Sequence, residues 1–282
     1  MKHFSPSSDI QPIGDFYDQD ADGYVLNRCS LDKIDPIWLP LIKEVADAME
    51  SKWGERLIGV YLRGSVPAGT AVAGVSDLDA FALLEWKAGE EFMRWEAIPE
   101  MSEKAIALQK AYPFAAEVEM MAAHYDPRVP GLNPQLKMVL KTQSLCLRGR
   151  DLSDSISPYR PGPRMMIHHR WFAEDLARFR ELKDPGPQEI RGFMKALIRT
   201  GFELVMEREG RFATDLYPCW QAFARHEPDY AAEMKLALQV FLQPDLMGAG
   251  GKVGGVAMAN GEWLEGWGVA MANWLCDKVG EL

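Results

Sequence analysis

A six-residue apolar run, Leu57-Ile58-Gly59-Val60-Tyr61-Leu62, leads straight into Arg63-Gly64-Ser65, and after eleven more residues Asp77-Leu78-Asp79 opens a second apolar run that continues to Leu84. Apolar runs this short, bounded by turn residues, predict buried strands rather than helices. The first half of the chain is thereby committed to a sheet, with a Gly-Ser turn and a small-residue segment, Val66 to Ser76, between two of its strands. A helix is predicted from about Pro36 to Trp53, where Ile37, Leu41, Val45 and Met49 recur at four-residue spacing. Another covers Ser102–Ala111 and stops near Pro113. Phe114–Tyr125 reads as a third strand, in which Glu117, Glu119 and Met121 share one face.

The stretch Asp151–Pro163, dominated by Ser, Pro and Asp, is the most linker-like part of the chain. Beyond it, amphipathic stretches at 165–183, 188–209, 228–243 and 256–279, with a shorter one at 216–225, predict a helical bundle. The expected organisation is α+β: a polar N-terminal arm over 1–35, a small mixed-sheet domain over 36–152, and an all-α bundle domain over 165–282.

Charge narrows the partners. Lys and Arg total 31 against 41 Asp and Glu, a formal charge of −10. A surface that neutralises a polyphosphate track carries a basic surplus, so no long nucleic acid is expected, and small substrates, cationic ones included, are favoured. No stretch approaches the roughly 18 uncharged residues that a spanning helix needs. The start, Met1-Lys2-His3-Phe4-Ser5-Pro6, lacks the apolar run of a signal peptide. The expectation is a cytoplasmic protein without a membrane partner, monomer or homodimer. Cys29, Cys146, Cys219 and Cys276 lie far apart with no C-x-x-C spacing, which predicts reduced thiols rather than disulfides or a zinc site.

An acidic pair two residues apart means little alone, because 41 acids in 282 positions supply about six such pairs by chance. The setting of Asp77 and Asp79 is what distinguishes them. Gly64 lets the backbone turn without a Cβ in the way, so that amide N–H groups and the Ser65 hydroxyl can approach phosphate oxygens. Two Asp at i and i+2 of a strand project from one face, where hard oxygen ligands suit one or two Mg2+ ions beside a triphosphate. A third carboxylate from a neighbouring strand would complete a second metal site or take the proton from an attacking hydroxyl. Glu119 is assigned that role, with Glu117 on the same face left open.

The segments Val60-Tyr61-Leu62-Arg63-Gly64-Ser65 and Val75-Ser76-Asp77-Leu78-Asp79-Ala80-Phe81 together resemble the signature of the DNA polymerase β-like nucleotidyltransferase superfamily. Within it the chain looks most like small bacterial proteins with a helical C-terminal domain, the arrangement of aminoglycoside nucleotidyltransferases. Weaker likenesses lie in Leu145–Leu152, at the end of the catalytic domain, and in Gly201–Met206 and Asp215–Cys219 of the helical part. The resemblance implies an enzyme moving a nucleoside monophosphate, AMP from ATP or the equivalent from another NTP, to a hydroxyl of a small acceptor such as an aminoglycoside-like compound. It makes Asp77, Asp79 and Glu119 Mg2+ ligands and Gly64-Ser65 the phosphate contact. Many relatives carry Ala-Arg-Gly after the Gly-Ser, whereas this chain has Pro67-Ala68-Gly69. That leaves either compensation by Arg63 or weaker triphosphate binding. Lys195 or Arg199, on the second bundle helix, is a further phosphate contact from the other domain, and Glu203 and Glu207 would face a cationic acceptor in a cleft between the domains. Two alternatives remain beside this reading: an AMP-transferring enzyme that modifies proteins in a toxin–antitoxin system, and a non-catalytic nucleotide-binding module on the same fold.

Other motifs read more plainly. Asp18-Gln19-Asp20-Ala21-Asp22-Gly23 imitates a calcium loop but has Cys29 where the bidentate acid belongs, which favours a solvated loop. Gly248–Gly255 fails the P-loop pattern and reads as an interhelical connection. His168-His169 reads as surface or cap, and Trp263, Trp267 and Trp274 as core or interface, or as one wall of a substrate pocket.

Overall fold

The alternation of β1 (Leu57–Arg63) and β2 (Leu78–Glu85) sends every second side chain to the same face, and the two strands pair antiparallel along most of their length. The structure, a computed structural model, describes residues 10–126, 134–182, 185–244, 252–253, 256–257 and 269–280. It is α+β, with a five-stranded mixed sheet followed by a helical region.

The strand order is β3-β4-β2-β1-β5, adding β3 (Glu96–Ala97), β4 (Val118–Tyr125) and β5 (Ser144–Gly149). Only β2 and β4 run parallel in this sheet. A parallel pair needs a long crossover, and α3 (Pro99–Ala111) lies within the one between them. On one face, Val60, Leu62, Leu78, Ala80, Val118 and Met120 pack with Leu41, Val45 and Met49 of α1 (Leu39–Trp53) and with Met101 and Leu108 of α3. Each fully buried Leu, Val or Met contributes about 1.5–3 kcal/mol. The alternate residues, Tyr61, Arg63, Asp79, Phe81, Glu119 and Met121, therefore belong to the opposite face. A single turn, α2 (Ser65–Ala68), follows β1, and α4 (Pro134–Thr142) precedes β5.

The strand expected from Phe114 begins only at Val118. Residues 114–117 instead form a turn that clasps the lead-in to β2: Gly74 N donates to Phe114 O, Ala116 N to Ser76 O, and Leu78 N to Glu117 O.

Contacts divide the described chain into residues 26–159 and a second unit formed by 10–25 with 160–280. The second unit holds α5 (His169–Glu181), α6 (Pro187–Glu209), α7 (Leu216–His226), α8 (Ala231–Leu242) and α9 (Val269–Gly280). α6 is its axis and packs against the other four helices. Its buried stripe includes Phe193, Met194, Leu197, Ile198, Phe202, Val205 and Met206, the 3.6-residue period made visible. Residues 10–25 lie along this unit: Tyr17 N donates to Phe212 O, the Tyr17 and Phe212 rings meet edge-on at 4.9 Å, and Phe16 faces Phe202 at 6.4 Å. The Asp18–Gly23 segment is a tight turn in which Asp20 Oδ1 accepts from Asp22 N and Tyr24 N.

The helix expected over 256–279 is α9 only from Val269. Lys252–Val253 and Val256–Ala257 pair instead as a two-stranded ribbon, β6 and β7, as a glycine-rich sequence with little helix propensity permits. Gly248–Gly251, Gly254, Gly255, Trp263 and Trp267 lie outside the described residues. Trp274 stacks on Tyr230 at 4.1 Å and meets Phe223 edge-on, so it is a packing residue of the bundle.

Candidate active site

A single register row crosses the sheet. Ser144 on β5 is the partner of Arg63 on β1, Arg63 of Asp79 on β2, and Asp79 of Glu119 on β4. Three of the residues singled out in sequence are thus neighbours on adjacent strands, on the face that α1 and α3 leave uncovered.

The turn after β1 closes on this row. Gly64 has φ 82° and ψ −156°, a conformation that essentially only glycine adopts. A Cβ placed there would stand 2.5 Å from Asp79 Oδ2, so the absent side chain is the space the carboxylate occupies. α2 is closed by Gly69 N donating to Val66 O and Thr70 N to Ser65 O. The Ser65 hydroxyl is buried and makes no hydrogen bond in this structure. A buried hydroxyl without a partner costs free energy unless a ligand or water satisfies it.

Asp79 is the electrostatic focus. Burial above all pushes its carboxyl up to about 7, with Arg63 pulling the other way and the charges of Asp77 and Glu119, plus a hydrogen bond shared with Glu119, adding to the rise. Asp77 sits exposed in the turn just before β2 and acts on Asp79 through its charge. Glu117 is exposed and contributes its backbone carbonyl to Leu78, so Glu119 is the acid that stands beside Asp79.

Among the described residues no three His, Cys, Asp or Glu side chains are already gathered to hold a metal ion. The donor set nonetheless fits a divalent cation such as Mg2+. It offers hard carboxylate oxygens, and the charge of Asp79 is opposed by burial and by two like charges that a cation would offset. Sequence reasoning missed the aromatic floor of this face. Tyr61 stacks on Phe81 at 5.2 Å, Phe81 meets Trp95 at 4.7 Å, and the Arg63 guanidinium lies over the Trp95 ring at 5.2 Å. Phe81 was readable, lying two residues after Asp79 on one strand. Trp95, just before the two-residue β3, carries no periodic signal.

No protein-family model matches the chain, and no curated protein matches it. Among solved structures it is similar to a spectinomycin adenyltransferase from Enterococcus faecialis, crystallised with ATP and spectinomycin, at 14% identity and a TM-score of 0.46. The likeness is distant. It covers 86% of this chain and 98% of that one. At such a distance the site has to be read from its own residues.

The candidates on the second unit have other partners. Glu203 is buried and receives the N–H groups of Ile167, His168 (2.8 Å) and His169 (2.9 Å), capping the start of α5, while His169 Nδ1 lies 3.2 Å away. Burial raises the Glu203 pKa, but these hydrogen bonds and the nearby imidazoles outweigh it and hold the carboxyl below its usual range. His168, expected at the surface or in a cap, is the N-cap residue of α5; it is partly buried there, and desolvation pushes it down to about 4. Arg199 donates twice to Thr214 O, at 2.7 and 3.1 Å. Lys195 is exposed on α6. Among the described residues no helix is long and apolar enough to cross a membrane.

Proposed function

We propose that the chain is a metal-dependent nucleotidyltransferase that moves a nucleoside monophosphate, AMP from ATP first among the candidates, to a hydroxyl of a small acceptor. The observation that carries this reading is the Asp79 carboxylate, packed into the space of the missing Gly64 side chain and flanked across the sheet by Arg63 and Glu119. A structural sheet face gains nothing from setting a second carboxylate beside the buried Asp79, which raises the cost of ionising Asp79. A phosphoryl-transfer site does, because it needs hard ligands and positioned donors more than covalent chemistry.

Mg2+ held by Asp77, Asp79 and Glu119 would neutralise phosphate charge and polarise the phosphoryl oxygens. The chain's own groups supply the rest. The turn at Gly64 admits phosphate oxygens to the backbone, and the partnerless Ser65 hydroxyl is a donor for one of them. Arg63 offers a guanidinium fork suited to phosphate, in place of the basic residue absent at Ala68. Where it does not bind the cation, Glu119 serves instead to accept the acceptor's proton. The formal charge of −10 favours a cationic acceptor, with an aminoglycoside-like amino sugar as the representative compound.

Purified protein incubated with Mg2+, labelled ATP and a panel of amino-sugar acceptors should release pyrophosphate and place label in a small molecule. Asp79→Ala should lower that rate at least about 100-fold by deleting a metal ligand. Equal, slow pyrophosphate release by wild type and variant across all four nucleotides and every acceptor overturns catalysis, and label appearing in a protein band instead overturns the small acceptor.

A further inference from the structure

Arg63 stands beside Asp79 in the register row, yet among the described residues its guanidinium makes no ion pair with a carboxylate. It lies over the Trp95 indole, 5.2 Å from the ring centroid, within the range of a cation–π contact. Opposite charges this near attract, so an unrestrained Arg63 would close onto Asp79 or Glu119 and commit its five N–H donors there. The indole gives the guanidinium a competing place to rest.

That place is fixed independently of Arg63. Immediately after Trp95, Glu96 and Ala97 pair with Ala122 and Met121. Two residues before it, Met93 N donates to His124 Nδ1 at 3.1 Å and His124 N donates to Met93 O at 2.8 Å. The indole itself rests on Phe81, which stacks on Tyr61. Trp95 is therefore the end of an aromatic stack anchored to three strands.

We propose that Trp95 is a positioning residue for nucleotide binding: it holds Arg63 off the carboxylates, so that the guanidinium's donors remain available to phosphate oxygens. This rests on the nucleotidyl-transfer reading above, and it explains how the site manages without a basic residue at Ala68. The aromatic face is the operative feature, and bulk alone does not replace it.

The test is a double-mutant cycle read by calorimetric titration of ATP in excess Mg2+, with KM and kcat measured alongside. Trp95→Leu should weaken ATP binding about 3- to 30-fold, the range of a cation–π contact, and raise KM more than it lowers kcat. Trp95→Met, flexible and also without a π face, carries the same expectation should the leucine variant fold poorly. Trp95→Phe should stay within about threefold of wild type, since a phenyl face still attracts a cation. In an Arg63→Ala background, Trp95→Leu should cause no further loss. A loss that persists undiminished without Arg63 makes Trp95 merely structural and overturns the proposal, as does a Trp95→Leu protein that binds ATP like wild type. Wild type binding none of the four nucleotides overturns the nucleotidyl-transfer reading and this proposal together, whereas wild type binding with Trp95→Leu unaffected overturns this proposal alone.

Discussion

Replacing Asp79 with Asn should make the metal-free protein more stable while removing its activity. The folded-state pKa of Asp79 lies at about 7 against an ordinary 3.8, with burial the largest cause. The folded state thus holds the proton more tightly than the unfolded chain does. Stability is highest with the carboxyl protonated, falls as pH rises from about 4 to about 7, and is flat above that. A shift of about three units at 1.36 kcal/mol each sets a ceiling of about 4 kcal/mol at pH 8, and about 2 kcal/mol at pH 5. Asn keeps the shape, can donate to Glu119, and carries no charge at either pH. Urea unfolding in EDTA at both pH values should show the variant more stable, with the advantage larger at pH 8 by about 2 kcal/mol. Saturating Mg2+ should then stabilise wild type and leave the variant nearly unchanged, because a ligand stabilises only the state that binds it. A variant that is equally or less stable at both pH values would refute the claim that Asp79 is held ionised at a cost.

Gly64→Ala should cost about 1–3 kcal/mol of backbone strain and cut activity disproportionately, because its Cβ displaces the Asp79 carboxylate; unfolding curves beside initial rates check this, and a stable, active variant contradicts the packing described. Glu203→Ala should destabilise by about 2–4 kcal/mol, leaving three N–H groups at the start of α5 without an acceptor. Because its folded pKa is lowered from 4.5, that contribution is present above pH 4.5 and lost as pH falls through the folded value. The gap between wild type and variant should therefore shrink in acid, and a constant gap points to packing rather than charge.

What the sequence made legible was local. Asp79 and Glu119 could be placed on one face because a strand has a two-residue period, whereas Asp77, expected on the same strand, falls just short of β2; α6 could be drawn because Phe193, Leu197 and their neighbours repeat with the helix. Features set by distant pairing stayed hidden. β5 reads as an unremarkable Leu-Cys-Leu-Arg stretch and becomes a strand only by pairing with β1 across more than 80 residues. Glu203 looked like a surface acid for a cationic ligand, but the helix start that it caps lies 34 residues earlier in the chain. Phe16 and Tyr17 show no periodicity, because what they pack against is a helix and a turn made much later.

That last arrangement sets an order of events during synthesis. Gln19 reaches Gly210 across 191 residues, and Asp15 reaches Asp215 across 200. At about 5–20 residues per second, the N-terminal segment leaves the ribosome about 10–40 s before its docking surface exists, while residues 26–159 emerge complete in between. The sheet unit can close first, and residues 10–25, though translated before it, find their place only after it.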